Sequence, residues 1–353
     1  MIKLFDPEKI VIDGGVNSFV ERRRKTLFAY PVKFAPIAQA RIWGGKKLKE
    51  WFSEKQEGPI GEYWVLSGHP KATSVVVNGP FAGNTLVQLT GEFPEAYLGK
   101  SPQDRFPLLI KFLEATDDLS VQIHPNDEYA RQNEGDFGKT EAWYILDAKE
   151  DARIIYGHTF PSRDEYVLAV KEKRVPEFLR YKPIEKDQLI FVPSRTLHAL
   201  LAGTILIEIQ QTSDVTYRVY DWDRVDDQGR GRELHIEKAA DVMIYGEPAG
   251  TDGVDTNRRT LFENGHVVHQ HLVTCPYFVI EKLTIKVSAH QINLGKQGNP
   301  DIIIIANGEG VLDPVVDFEP IELKYGDTVL VPSTISEYQI RTTSKIELLR
   351  TYY

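Results

Sequence analysis

Short β-branched segments, each bounded by Gly, Pro, Asn or Asp, recur along the whole chain. Thr73–Val77, Ala152–Tyr156, Leu189–Val192, Thr204–Ile209, Tyr277–Ile280 and Asp301–Ile305 are examples. Stretches of this length and composition pack as pleated strands, and many of them at short intervals imply sandwiches or barrels. Helical periodicity is confined to Arg163–Lys173, with Ser162 as its N-cap, and more weakly to Leu86–Leu98 and Pro125–Asn133. The expected class is therefore mainly β, with helical insertions in the first part of the chain.

The chain also repeats itself. Lys186–Ser194 and Tyr325–Ser333 share a polar turn, a strand and Val-Pro-Ser. His198 lies five residues after Pro193, and Glu337 lies five after Pro332, so two related β domains are expected, the second without the first one's histidine. A segment rich in Gly, Pro, Asp and Asn (GEPAGTDGVDTNRR) reads as a linker between them. The expected organisation is an N-terminal extension (1–26), a catalytic domain (27–246), a linker (247–265) and a C-terminal domain without a metal site (266–353).

Charge and cysteine content narrow the function. With 42 Lys and Arg against 51 Asp and Glu, the net charge is −9, which disfavours phosphate backbones and so nucleic acid. The run Arg22–Lys25 is a basic block, read as a solvated face. One cysteine, Cys275, excludes an internal disulfide and a thiolate zinc site, and fits a reducing compartment. No apolar run nears the roughly 18 residues of a membrane span, and the charged first 30 residues do not resemble a signal peptide. A cytoplasmic protein is expected.

Chemistry concentrates in one stretch. Strand alternation puts Gln122 and His124 on one face of Ser120–Pro125, opposite Val121 and Ile123. Lys139 and Glu141 alternate onto one face of Gly138–Tyr144, and His198 follows the Val-Pro-Ser strand. Gln, His, Glu and His make a nitrogen–oxygen donor set suited to zinc or a similar divalent ion. His266, His269 and His271 cluster after the linker and read as surface residues.

These residues resemble a known family, the type I mannose-6-phosphate isomerases, in their short bacterial form. The resemblance rests on Arg41–Gly45, Gly61–Ser67, Phe106–Phe112, Val121–Pro125, Gly138–Tyr144, Val192-Pro-Ser-x3-His198 and Tyr217–Arg224, in the family's order. It implies two cupin (jelly-roll) β-barrel domains and one zinc per chain held by Gln122, His124, Glu141 and His198. It also implies an active-site Arg218, lysines Lys111 and Lys139 near the substrate, and nearby roles for Glu62 and Trp43. The implied reaction interconverts mannose 6-phosphate and fructose 6-phosphate through an enediol, in a monomer or homodimer. The group that moves the proton stays open among a metal-bound water, Lys139, Glu62, Asp221 and Asp223; Arg218 is expected to act as a fixed cation. A non-catalytic sugar-binding cupin and another metal-dependent cupin enzyme remain alternatives. Mannose 6-phosphate turnover excludes the first, and product analysis without oxygen separates the second.

Overall fold

The computed structural model describes residues 29–225, 228–246, 253–294, 298–314 and 318–353. The expected extension, 1–26, and residues 247–252 of the expected linker lie outside these. The described chain is mainly β and forms three antiparallel sheets.

A seven-stranded sheet runs Leu189–Val192, Glu141–Ala148, Thr204–Gln211, Leu108–Ala115, Ile60–His69, Ile37–Gly45, with Ala72–Thr73 beside Ile60–His69. A five-stranded sheet runs Tyr217–Tyr220, Val121–Ile123, His198–Leu200, Arg153–His158, Leu179–Pro183. An eight-stranded sheet gathers the C-terminal strands, Asp301–Pro314 and Glu337–Tyr352 at its centre, and takes Val32–Lys33 from the other end of the chain.

Alternation decides which residues meet. On the seven-stranded sheet, Trp43, Leu113, Trp143 and Leu206 pack against Ile154 and Leu200 of the five-stranded sheet. The opposite face presents Ile110, Phe112, Tyr144, Ile207 and Ile209 to Ile302, Ile304, Leu330 and Leu349 of the eight-stranded sheet. The uninterrupted run Ile302–Ile305 follows from this layering. Ile302 and Ile304 face the first half, while Ile303 and Ile305 fill the interior of the C-terminal half. On the outer face of the five-stranded sheet, Val121, Ile123, Ala199 and Val219 are covered by helices Arg163–Lys171 and Ile236–Val242.

Local chemistry sets the helix ends. Ser162 caps Arg163–Lys171 by accepting from the Glu165 amide. The expected helix Leu86–Leu98 divides into Leu86–Glu92 and Pro94–Tyr97, because Pro94 has no N–H to continue the ladder. Thr73–Val77 forms only the end of a two-residue strand and isolated bridges at Val75 and Val76. Within the expected linker, Arg259–Glu263 is a strand paired with Val267–Thr274, since a short turn lets the two close a hairpin. No described helix is long and apolar enough to cross a membrane.

Ile304 is fully buried where the halves meet. Ile304→Ala is expected to cost about 2–5 kcal/mol, the usual penalty for emptying such a site, read as a lower urea midpoint with circular dichroism as the probe.

Candidate metal and substrate site

The site lies between the seven- and five-stranded sheets. Val121 and Ile123 point to the outer helices, so Gln122 between them points inward. His198 and Arg218 pair with Gln122 from the two neighbouring strands, giving one inward row. Across from it, Lys111 pairs with Trp64 and Glu208, and Glu208 pairs with Trp143, a second row. His124 follows one strand end and Glu141 opens another.

The two imidazoles are held in one tautomer. His124 Nδ1 donates to the Val215 carbonyl at 2.9 Å, and His198 Nδ1 to the Thr196 carbonyl at 2.8 Å. A carbonyl only accepts, so each Nε2 keeps its lone pair. His124 Nε2 is 3.6 Å from Glu141 Oε2, and His198 Nε2 is 3.3 Å from Glu141 Oε1. Ligands about 2.0–2.1 Å from a tetrahedral ion stand roughly 3.4 Å apart, so these spacings match a shared cation. Gln122 completes the group, its amide nitrogen 3.3 Å from His198 Nε2, and a half-turn of the amide offers its oxygen to the same point.

Burial and missing partners support the same reading. Glu141 is 0% exposed, and His124 and His198 are each 1% exposed. Neither Glu141 oxygen nor His124 Nε2 makes a hydrogen bond, although the Lys139 ammonium stands 3.3 Å from Glu141 Oε2. An interior carboxylate without donors is costly, and a bound cation removes that cost. Burial raises the Glu141 carboxyl to about 7 against the pull of Lys139. Burial also pushes His198 down to about 4 and, with Lys139 and His198 adding to it, pushes His124 well below its ordinary range. Both rings are therefore neutral, as metal ligation requires.

Backbone ties hold the three ligand-bearing loops together. The Lys139 amide donates to the Pro125 carbonyl at 3.1 Å, and the Arg195 amide to the His124 carbonyl at 2.7 Å. Thr140 Oγ1 accepts from the Ser194 amide at 3.3 Å, while the Thr140 amide donates to Gln211 at 2.9 Å. A Cβ on Gly138 would stand 2.5 Å from the Asp127 nitrogen, so this close approach needs glycine.

A cavity of about 330 Å³ opens onto the group, lined by Trp43, Glu62, Lys111, Gln122, Lys139 and Arg218 among others. Lys111 pairs with Glu208 at 2.8 Å, and Trp143 Nε1 donates to Glu208 at 3.1 Å. Burial alone would raise Glu208, but Lys111, Lys139 and its hydrogen bonds outweigh it and hold the carboxyl at about 2. Glu62 accepts from Trp64 Nε1 at 2.7 Å and from Arg41 at 3.0 and 3.2 Å. Arg218 donates to the Glu233 carbonyl at 2.8 Å, and its Nε is buried without a partner.

Of the nominated residues, Trp43, Glu62, Lys111, Gln122, Lys139 and Arg218 line this cavity, and His124, Glu141 and His198 form the ligand cluster beside Gln122 and Lys139. The structure adds Glu208, Arg41, Trp64, Arg232 and Asp214, of which Arg41, Glu208, Asp214 and Arg232 line the cavity directly. A glutamate inside the apolar run Thr204–Ile209 was the available signal for Glu208. Asp221, one of the proton-transfer candidates, is instead clasped by Arg224 and Arg232, each at 2.7 Å, and neither it nor Asp223 lines the cavity. His271 proves buried, bonded to Thr274 and Asn257, because it faces inward from Val267–Thr274.

Comparisons with known proteins point one way. Residues 32–154 match the model of the phosphomannose isomerase type I catalytic domain. Over 313 residues the chain is 39% identical to a mannose-6-phosphate isomerase of Streptococcus mutans, covering 88% of this chain and 95% of that protein. A mannose-6-phosphate isomerase of Bacillus subtilis is 38% identical over 312 residues, 88% of this chain and 95% of its own. The crystal structure of the mannose 6-phosphate isomerase from Bacillus subtilis aligns with a TM-score of 0.83 at 36% identity, over 92% of this chain and 100% of that one. A Salmonella typhimurium phosphomannose isomerase variant, at 17% identity and a TM-score of 0.70, over 92% of this chain and 99% of that one, shares the fold.

Zinc in hundredfold excess over its Kd is expected to stabilise the metal-free chain by about 2.7 kcal/mol. Calorimetry should show the matching rise in Tm, and His198→Ala should abolish it.

Proposed function

The chain belongs to the type I mannose-6-phosphate isomerases, and we infer from that membership and from its site that it interconverts mannose 6-phosphate and fructose 6-phosphate. The observation that carries the reading is the convergence of two imidazole lone pairs and an unsatisfied buried carboxylate at one end of a cavity lined by lysine and arginine.

Gln122, His124, Glu141 and His198 would hold one zinc ion, which when bound supplies positive charge to stabilise the negative charge that builds on the sugar's carbonyl oxygen. The cavity lies at the small end of ordinary ligand sites, in keeping with a single sugar phosphate.

The side chains divide the remaining work. Isomerisation moves a proton between C2 and C1 while charge collects on the oxygens. Lys139 reaches the Glu141 end of the cavity, and we assign it the proton transfer. Arg218 keeps its charge, so it is a fixed donor for the enediolate or the phosphate. Its unpartnered Nε, and its carbonyl-bound NH1, leave donor capacity directed by the fold rather than by an ion pair. Lys111 is fixed by Glu208 and adds positive potential beside the site, while Glu62 and Trp43 shape its wall. In an acidic protein, this local cationic lining is what would draw in a phosphorylated sugar.

On this reading each half is a cupin barrel. Residues 27–246 do the chemistry, 247–265 join the halves, and 266–353 support the first half without a metal of their own. The enzyme is taken to be cytoplasmic, and a monomer or homodimer.

Purified protein should form fructose 6-phosphate from mannose 6-phosphate, lose that turnover on chelation and regain it with zinc. Absence of turnover in the zinc-loaded chain would overturn the reading. Lys139→Met should lower kcat by about 10²–10⁴ with little change in KM, as expected for loss of an acid–base group. Arg218→Gln should lower kcat by about 10²–10³, the cost of one lost oxyanion donor. Steady-state kinetics on each variant would read both.

A further inference from the structure

A second cavity, of about 610 Å³, lies beyond the turn that carries the metal-site histidine of the five-stranded sheet. It shares no lining residue with the site already described. Arg180, Arg195, Thr196 and His158 are in its wall, and no carboxylate is among its lining residues.

Its two guanidiniums are available. Arg195 Nε donates to the Val242 carbonyl at 2.8 Å, which orients the guanidinium and leaves its outer nitrogens open. Among the described residues, neither Arg195 nor Arg180 has a carboxylate partner, whereas Arg41, Arg105, Arg163, Arg174 and Arg350 each do. The Thr196 hydroxyl is buried without a hydrogen-bond partner, in a residue 8% exposed. Two guanidiniums around one hollow with no carboxylate in its wall, in a chain of net charge −9, form a site for a compact anion with several acceptor oxygens.

The same turn holds the metal-site imidazoles. The Arg195 amide donates to the His124 carbonyl, and the Thr196 carbonyl accepts from His198 Nδ1. Arg195 has φ of 69°, a left-handed conformation that a non-glycine side chain adopts only when its surroundings impose it. A group that grips the Arg195 side chain therefore pulls on a backbone segment bonded to both histidines.

We propose that this cavity binds a phosphate dianion, free or as a monoester, and that its occupancy tunes the isomerase through the Pro193–Leu197 turn. The tuning rests on the function proposed above; the binding does not.

Two measurements on the full zinc-loaded chain test it. Equilibrium dialysis with radiolabelled inorganic phosphate should find a site that survives Arg218→Ala and is lost in Arg180→Ala. Arg180 is exposed and, among the described residues, its side chain makes no hydrogen bond or ion pair, so its removal spares the fold. Arg195→Gln gives a second check on location, and methyl phosphate in place of inorganic phosphate shows whether a monoester is accepted. A single site abolished by Arg218→Ala, or a second site indifferent to both Arg180→Ala and Arg195→Gln, overturns the proposal. Rates are then measured well below the KM for mannose 6-phosphate, because this substrate is itself a phosphate monoester and would fill the second cavity at saturation. Competition at the active site is common to the wild type and Arg180→Ala, so the phosphate response of the two proteins should differ by about fivefold, the lower end of ordinary coupling. Binding at the second site with equal phosphate responses in the two proteins overturns the tuning.

Discussion

Each principal strand of the seven-stranded sheet is buried on both faces, and the site depends on this. In Leu108–Ala115, Ile110 and Phe112 pack toward the C-terminal half, while Lys111 and Leu113 point at the cavity. In Thr204–Gln211, Ile207 and Ile209 pack outward and Glu208 points in. Each large apolar side chain so buried contributes about 1.5–3 kcal/mol. Bringing an ion inside costs several kcal/mol before its partner compensates. A single layer with one wet face could not carry both an inward row of charges and a stable sheet. The eight-stranded sheet supplies the missing burial, so the half without the site is what allows the other half to have one.

The interior charges are unequally satisfied, and that inequality assigns their roles. Glu208 has Lys111 at 2.8 Å and the Trp143 indole at 3.1 Å, and its carboxyl sits at about 2. Glu141, also buried, has one cation near it, Lys139, and two neutral imidazoles, makes no hydrogen bond, and its carboxyl rises to about 7. Two carboxylates pushed in opposite directions by their surroundings do different work. Glu208 is a settled anion that fixes Lys111. Glu141 is left for a cation.

Much of this was legible in the sequence, for one physical reason. Period-two alternation assigns faces before any contact is known, so Gln122 shares a face with His124 and Lys139 with Glu141; donor chemistry grouped Gln122, His124, Glu141 and His198, and the family resemblance added Arg218. What escaped depends on contacts between distant segments. Glu208 reads as an isolated polar residue until Lys111 appears on the neighbouring strand. Arg41, Glu62 and Trp64 form a hydrogen-bonded group that no single segment reveals. Arg259–Glu263 looked like linker because its residues are exposed and aperiodic; only its pairing with Val267–Thr274 makes it a strand. The buried position of His271 comes from partners contributed by Asn257 and Thr274.

The repeated Val-Pro-Ser turn shows how one local structure serves two ends. In both halves a strand closes on Val, a turn follows, and the next strand opens five residues after the proline, on His198 or on Glu337. In the first half, the Ser194 amide donates to Thr140 and draws the Glu141 loop toward the histidines. In the second, the Ser333 amide donates to Ala96 and its hydroxyl to the Glu95 carbonyl, so the turn grips the helix Pro94–Tyr97 of the first half. Glu337 alternates with Tyr338 and Ile340, which point into the C-terminal interior, so a side chain at position 337 stands on the opposite, partly exposed face of its strand. The second turn docks onto the first half, and the half-buried Glu337 that follows it is bonded to Gln291. The divergence of the two copies follows from where the residue after the turn points: His198 turns into a buried interior with Glu141 beside it, and Glu337 onto a partly exposed face.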